Sequence, residues 1–224
     1  MEILTRISML FAKKKILVEK PFLISSSDFI KFKNIKNNIF VGYNRIYYNN
    51  IKILEKKIKG SKNLLIKISA PEKKIENIIT NSCHLFSILF FLFKNIKLVN
   101  ITRNRNHIVC ELDSREGNIF LFFCINSPEN TEITINNKNN IYKLSPLERL
   151  TIYNKMKIIK KNNLNFYNPS VLKIYEEKLN FKPGFVDQYK NFKKFIKNKR
   201  CKFLPYYQCK KIVELCNKIV SSKN

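Results

Sequence analysis

The chain has 224 residues, of which 45% are hydrophobic, so it is long and apolar enough to fold around a core, which excludes intrinsic disorder. Its formal net charge of +27 at pH 7 would admit a polyanionic partner. Only seven of the 43 basic residues are arginine, and the lysines are scattered among Asn, Ile, Phe and Tyr, residues whose codons are rich in adenine and thymine. We attribute the positive charge to the base composition of the coding DNA. Nucleic-acid binding is therefore the least favoured of the functions that we consider.

The cysteine pattern and the hydropathy of the chain predict a cytoplasmic protein. The six cysteines form no C-x-x-C pair and lie in apolar runs or predicted helices, which is typical of reduced core thiols and not of a disulfide framework or a metal site. The N-terminus shows no secretory signal, and the strongest apolar run, Leu85 to Phe93, is shorter than the roughly 20 residues that cross a bilayer. We therefore predict no membrane span and no bound metal.

Two short strands are predicted near the start of the chain, and each ends in polar residues. The apolar run 16–18 stops at Glu19-Lys20-Pro21, because proline cannot donate to a sheet ladder. A brief helix over 29–36 leads to a second apolar run, 39–41, which ends at Gly42-Tyr43-Asn44-Arg45. Ligands of open α/β sheets bind beyond the carboxyl ends of the strands. The polar residues after both strands are therefore predicted to face one crevice.

A second informative stretch follows an amphipathic helix predicted over 46–59 and a strand over 64–70. Residues 75–94 are predicted to form a single buried helix, on which Thr80, His84 and Ser87 lie along one polar stripe. The histidine on that stripe is either a satisfied core residue or a group that faces a polar cavity. The residues alone leave both interpretations open.

The rest of the chain is predicted to form an antiparallel sheet and two closing helices. The apolar period changes to two from residue 96, which predicts strands at 96–102, 107–113, 118–125, 132–136 and 141–144. His107 falls on the polar face of its strand and is predicted to be a surface residue without a catalytic role. Residues 151–180 give no consistent pattern, and apolar stripes over 185–196 and 209–220 predict the final helices.

The two strand-end motifs, followed by a helix that carries His84, resemble the glucose-fructose oxidoreductase and inositol dehydrogenase family (Gfo/Idh/MocA). The closing segment is also similar, with Lys182-Pro183-Gly184-Phe185 bearing phenylalanine where the family has histidine. The resemblance implies an α/β chain. Residues 1–60, beginning with a helix at 3–12, would be the C-terminal remnant of a Rossmann domain. Residues 61–224 would form an α+β domain with a mostly antiparallel sheet backed by helices.

The resemblance also implies a function and partners. The family members are NAD(P)-dependent oxidoreductases that act on a hydroxyl of a sugar, a sugar nucleotide or a cyclitol. Lys20 would remove the hydroxyl proton, and His84 would polarise or deprotonate the same hydroxyl. NAD or NADP would contact Glu19, Lys20 and Pro21, and the substrate would contact Asn44, Arg45 and Thr80. The sheet of such proteins commonly forms a dimer through its exposed face, so a homo-oligomer is expected.

Two departures from the family pattern predict that these residues are inactive alone. The family commonly has acids where this chain has Thr80 and Ser87, so the carboxylates that would orient His84 are missing. The sequence has four glycines and no G-x-G-x-x-G, the turn whose backbone amides hold the pyrophosphate. Three explanations stay open: a split enzyme with a separate N-terminal Rossmann chain, a decayed remnant, and a binding or structural subunit.

Overall fold

The computed structural model describes residues 14–162, 164–178 and 180–222, and the helix predicted at 3–12 lies outside them. The chain forms two compact units. The first contains the described residues of Met1–Tyr48, Glu72–Phe93 and Leu179–Asn224, and the second contains those of Asn49–Pro71 and Lys94–Lys178. The predicted division at residue 60 follows chain order, whereas these units are defined by tertiary contacts.

The first unit contains a parallel pair of short strands. β1 (Ile16–Val18) pairs with β2 (Ile39–Val41), with Leu17 opposite Phe40. All three β2 residues are buried, whereas Leu17 is 39% exposed. The predicted strands are confirmed, and their parallel pairing brings their carboxyl ends to the same edge.

The connection between these strands is a 3-10 helix, Ser26–Asn38, which includes the brief helix predicted over 29–36 and is longer than it. Its buried residues are Phe29, Phe32 and Ile35, which are spaced by three. Three residues per turn place these side chains above one another on one face, so the apolar spacing favours the tighter helix.

The described residues form the α-helices α1 (Asn49–Ile58), α2 (Asn77–Thr80), α3 (Cys83–Leu92), α4 (Phe185–Ile196) and α5 (Tyr206–Ser221). The prediction of one helix over 75–94 is wrong, because the chain breaks between α2 and α3. Eight of the ten α3 residues are buried, and α3 packs against α5. Their apolar surfaces form much of the core of the first unit.

The second unit is built on an eight-stranded sheet with the strand order β10-β9-β8-β7-β3-β6-β5-β4. Its first six strands are β3 (Leu64–Glu72), β4 (Lys97–Arg103), β5 (His107–Ser114), β6 (Gly117–Ile125), β7 (Glu132–Asn136) and β8 (Ile141–Leu144). The antiparallel pairs in this sheet include β10 with β9, β9 with β8, β8 with β7, β7 with β3, β6 with β5 and β5 with β4. Alternate residues of β5 are buried and His107 is exposed, as its period of two predicts.

The last two strands, β9 (Arg149–Lys161) and β10 (Leu164–Glu176), continue beyond the sheet as a long hairpin. We call its outer part, residues 154–162 and 164–171, the ribbon. All described ribbon residues are exposed except Ser170, which is half-buried. Its exposed apolar side chains are Met156, Ile158, Ile159, Leu164, Phe166, Tyr167 and Val171.

Turns in the described chain rely on asparagine more than on glycine. The five non-glycine residues with positive φ are all asparagine, at 63, 95, 126, 162 and 198, with φ between 48° and 59°. Glycine is instead required where a side chain has no room. A Cβ on Gly117 would lie 2.0 Å from the carbonyl oxygen of Leu64, and one on Gly184 would lie 2.2 Å from that of Asn44.

All six cysteines are free, and Cys83, Cys110, Cys209 and Cys216 are buried, which agrees with the prediction of core thiols. Within the described ranges, no helix combines the length and the apolar character needed to cross a bilayer.

Candidate functional site

Lys20 extends from the end of β1 to the segment that precedes His84. The Gly42 amide donates to the Val18 carbonyl at 2.8 Å, so β1 and β2 end side by side. The Lys20–Pro21 peptide is cis. The half-buried Lys20 donates from Nζ to the carbonyl oxygen of Thr80 at 2.9 Å. Thr80 is the last residue of α2, and its own side chain is exposed, so it meets Lys20 through the backbone.

Glu72 holds the break between α2 and α3. Its side chain is 5% exposed and accepts hydrogen bonds from the Asn81 amide at 3.1 and 3.2 Å and from the Ser82 hydroxyl. These bonds satisfy the buried carboxylate and fix the residue from which α3 begins. Sequence reasoning missed Glu72. Its signal is a carboxylate in phase with the buried positions of β3, since every second residue from Leu64 to Glu72 is buried.

His84 is the second residue of α3 and is 7% exposed. Its ring packs edge-on against Tyr43, with centroids 6.2 Å apart, and its Nδ1 has no hydrogen-bond partner among the described residues. The Ser87 hydroxyl donates to the His84 carbonyl at 2.6 Å, so it binds the backbone and not the imidazole. The predicted polar stripe therefore does not orient the ring.

The protonation state of His84 follows from its surroundings. Burial, followed by the positive charges of Lys20, Arg45 and Lys182, lowers the pKa of His84 from 6.5 to about 3. The imidazole is therefore neutral near pH 7. A neutral imidazole can polarise a hydroxyl by hydrogen bonding, whereas a group with so low a pKa is a weak proton acceptor.

Asn44 and Arg45 are positioned by the turn that precedes α4. Asn44 is 4% exposed, and its Nδ2 donates to the Pro183 carbonyl at 3.1 Å. Gly184 has φ of 81°, and the missing side chain allows its backbone to lie directly against Asn44. Arg45 and Lys182 are the chain neighbours of these two bonded residues, and the positive charges of both lower the pKa of His84. Sequence reasoning did not single out Lys182 as a site residue.

The Glu19 side chain lies beside Gly42. A Cβ on Gly42 would lie 3.2 Å from the Val18 oxygen, 3.3 Å from Gln188 Nε2 and 3.8 Å from Glu19 Oε1. Gln188, on α4, is 4% exposed. The first unit thus brings together Lys20 with the segment of Thr80 and His84, and separately places the exposed Glu19 near Gly42 and Gln188.

No protein-family model and no curated protein matches this sequence, whereas solved structures match its fold over nearly the whole chain. The dehydrogenase MviM from Clostridium difficile has a TM-score of 0.72 at 15% identity, with 99% of this chain and 76% of that chain covered. UDP-N-acetylglucosamine 3-dehydrogenase GnnA from Acidithiobacillus ferrooxidans has a TM-score of 0.67 at 13% identity, covering 96% and 72%. An oxidoreductase from Agrobacterium radiobacter in complex with NAD+, L-tartaric acid and magnesium has a TM-score of 0.64 at 13% identity, covering 95% and 72%.

The matched structures include oxidoreductases of the Gfo/Idh/MocA family. The chain has the Gfo/Idh/MocA fold. The predicted α/β class, with a mostly antiparallel sheet and helices, is therefore confirmed.

The residues present fit only one end of the dinucleotide that the Gfo/Idh/MocA fold implies. Glu19, Lys20 and Pro21 follow a parallel strand, where such folds bind ligands, and Lys20 contacts the Thr80 carbonyl four residues before His84, whose Nδ1 has no partner among the described residues. The pyrophosphate instead needs a glycine turn that opens a helix. Neighbouring atoms fill the space beside Gly42, Gly117 and Gly184, and Gly60, which has open space, follows the end of α1. Among the described residues, no three His, Cys, Asp or Glu side chains cluster as metal ligands.

Proposed function

We propose that this chain supplies the substrate-binding part of an NAD(P)-dependent oxidoreductase acting on a hydroxyl of a sugar, sugar nucleotide or cyclitol. The observation that carries the proposal is the hydrogen bond from Lys20 Nζ to the Thr80 carbonyl. This bond holds the candidate base against the segment that leads into α3, the helix on which His84 lies. The unpartnered Nδ1 of His84 provides a second polar contact for a hydroxyl. The buried free thiols support a cytoplasmic location.

The chemistry requires a proton to leave the hydroxyl as a hydride leaves the same carbon. A bound nicotinamide dinucleotide supplies the hydride acceptor. Lys20, in its neutral amine form and after it has lost its own proton, accepts the hydroxyl proton, and the Thr80 carbonyl holds its Nζ in place. His84, neutral near pH 7, hydrogen-bonds the same hydroxyl and draws electron density from it. Asn44 and Arg45 orient the remaining hydroxyls.

A binding role without catalysis is the second candidate. It is favoured by Thr80 and Ser87, which stand where the resemblance expects carboxylates. The Thr80 side chain is exposed, and the Ser87 hydroxyl is bonded to the backbone of His84. A site without an acid to assist the imidazole would bind a polyhydroxylated compound without driving proton transfer.

The test is Lys20→Met in the protein assembled with a dinucleotide-binding region, whether on the same polypeptide or on a second one. We expect kcat to fall by about 100-fold or more, since a positioned base contributes at least that factor. Lys73→Met is the matched control, because Lys73 is an exposed lysine of the same unit, and it should leave kcat unchanged. Urea unfolding of both variants checks the fold.

A fully active Lys20→Met variant would contradict the catalytic role proposed for Lys20. An assembly that binds dinucleotide and sugar but never transfers hydride would instead favour the binding role.

A further inference from the structure

The two faces of the ribbon differ in charge. Side chains alternate along each strand, and residues paired across an antiparallel hairpin point to the same side. Ile158 lies opposite Tyr167 on one face, which carries a single lysine, Lys160, and suits contact with another protein surface. We call the opposite side the lysine face. Its members are Lys155, Lys157, Ile159, Lys161, Leu164, Phe166, Asn168 and Ser170.

The three lysines of the lysine face have no acidic partner. The ribbon contains no aspartate or glutamate. Among residues 14–162, 164–178 and 180–222, no ion pair links Lys155, Lys157 or Lys161 to an acid. A strand rises roughly 3.3 Å per residue, so these lysines form a row of positive charge about 20 Å long. The row is therefore available to an anionic surface.

Apolar side chains lie on the same face as these lysines. Ile159 pairs with Phe166, and Leu164 pairs with Lys161, so the three apolar side chains are neighbours. All three are exposed. A single exposed apolar residue needs no explanation, whereas an exposed group of them on a projecting hairpin is typical of an interaction surface. The lysine face therefore suits a partner that is both anionic and apolar.

An anionic lipid bilayer meets both requirements, and two other partners do not. A nucleic acid would neutralise the lysines but would leave Ile159 and Leu164 in water, and the ribbon has no arginine for paired contacts with bases. A second copy placed on this face would bring two rows of lysines together. At a bilayer, the apolar side chains enter the boundary of the acyl region while the lysine ammonium groups stay among the head groups.

We propose that the lysine face of the ribbon binds the surface of an anionic lipid bilayer. Lys155, Lys157 and Lys161 contact lipid phosphates, and Ile159, Leu164 and Phe166 enter the outer edge of the acyl region. The cytoplasmic leaflet of a membrane presents such anionic lipids, which agrees with the proposed cytoplasmic location. The inference uses no residue of the candidate site and does not depend on the proposed reaction.

The chain contains no tryptophan, so a single one provides a specific probe. The full chain with Phe166→Trp would be mixed with vesicles of phosphatidylglycerol and phosphatidylcholine in equal amounts, or of phosphatidylcholine alone. With the anionic vesicles we expect a blue shift of the tryptophan emission and quenching by brominated acyl chains. Phe181→Trp is the matched control, because Phe181 is an exposed phenylalanine outside the ribbon, and it should show neither effect.

Paired lysine variants separate the lysine face from the overall charge, because a chain of net charge +27 is attracted to any anionic vesicle. Lys155→Gln with Lys157→Gln should weaken binding to the anionic vesicles about tenfold, measured by vesicle flotation. Lys56→Gln with Lys57→Gln removes the same charge from exposed positions on α1 and should weaken it by less than about threefold.

An isoleucine pair tests the apolar contribution. Ile159→Ser should weaken vesicle binding about tenfold, because the serine no longer gains from leaving water. Ile30→Ser, at an exposed isoleucine outside the ribbon, should bind like wild type. All the substituted side chains are exposed, so each variant should keep its fold, which urea unfolding checks.

The inference is overturned if the anionic vesicles do not bind, if both lysine pairs weaken binding equally, or if Ile159→Ser binds like Ile30→Ser. A Phe166→Trp blue shift that appears without vesicles and grows with protein concentration would instead identify a second copy on the lysine face. Binding to duplex DNA that the ribbon pair weakens, with vesicle binding unchanged, would identify a nucleic acid. Either result would also overturn the inference.

Discussion

The surroundings of His84 make a prediction about acid stability. Its pKa is about 3 in the folded protein against 6.5 ordinarily, so between these values the unfolded chain binds more protons. Above pH 6.5 the imidazole is neutral in both states and the folded protein keeps its full stability. As the pH falls from 6.5 toward 3, the unfolded chain takes up the proton and the free energy of unfolding decreases. Lowering the pH from about 7 to about 4.5 should therefore remove up to about 3 kcal/mol through His84 alone.

Urea unfolding at the two pH values measures this loss in wild type, His84→Gln and the matched control His107→Gln. Wild type and His107→Gln should lose the same amount, and His84→Gln should lose less, because glutamine does not titrate. An identical pH dependence in all three proteins would show that burial and the charges of Lys20, Arg45 and Lys182 do not lower the pKa of His84 as stated.

Lys20 and His84 could be singled out from sequence, because a strand that stops at proline and a polar stripe on an apolar helix are local patterns. Glu72 is in phase with the buried positions of β3, but its bonds to Asn81 and Ser82 do not follow from that spacing. Lys182 could not be singled out, because its position depends on the bond between Asn44 and Pro183, which joins segments far apart in the chain, and spacing rules do not reach that far.

Among the secondary-structure elements, the ribbon carries a prediction about assembly. Its apolar side chains lie on both faces, and such an exposed strand pair is prone to association. We propose that a second copy of this chain covers it, because a two-fold axis lets the same patch bury itself on both copies. Ile158→Glu should then weaken the dimer at least tenfold.

Sedimentation across micromolar concentrations measures this effect. The matched control is Ile30→Glu, since Ile30 is 71% exposed in the first unit and Ile158 is 54% exposed in the ribbon. Ile30→Glu should sediment like wild type. A wild-type protein that stays strictly monomeric would contradict the proposal that a second copy covers the ribbon.

The sheet strands β3 and β5 to β8 could be predicted because burial of one face imposes a period of two on the sequence, whereas β1 and β2 were predicted from short apolar runs. The ribbon escaped prediction for the same reason, since both of its faces are exposed and no alternation results. The break after α2 also escaped, because the apolar run continues through it. Glu72 fixes that break by a contact from another element.

For the molecule as a whole, we predict that these 224 residues bind NAD and NADP only at about 1 mM or weaker. The proposed cofactor contacts, Glu19 to Pro21, would serve only the nicotinamide end, and the described chain presents no glycine turn for the pyrophosphate. Calorimetry with NAD, NADP and nicotinamide mononucleotide tests this. NAD and the mononucleotide should bind within about threefold of each other, because the adenylate half finds no partner. Micromolar binding of NAD would contradict the prediction.

Glycine is used in turns for two different reasons, and the asparagines with positive φ in this chain meet only one of them. One requirement is a backbone torsion with positive φ, which asparagine can adopt at modest cost. The other is the absence of a side chain, as at Gly117 and Gly184, and asparagine cannot meet it. A pyrophosphate turn has the second requirement, since the phosphate must approach the backbone itself. Asparagine could therefore replace glycine at turns such as those at 63 and 95, but not in a turn that binds pyrophosphate.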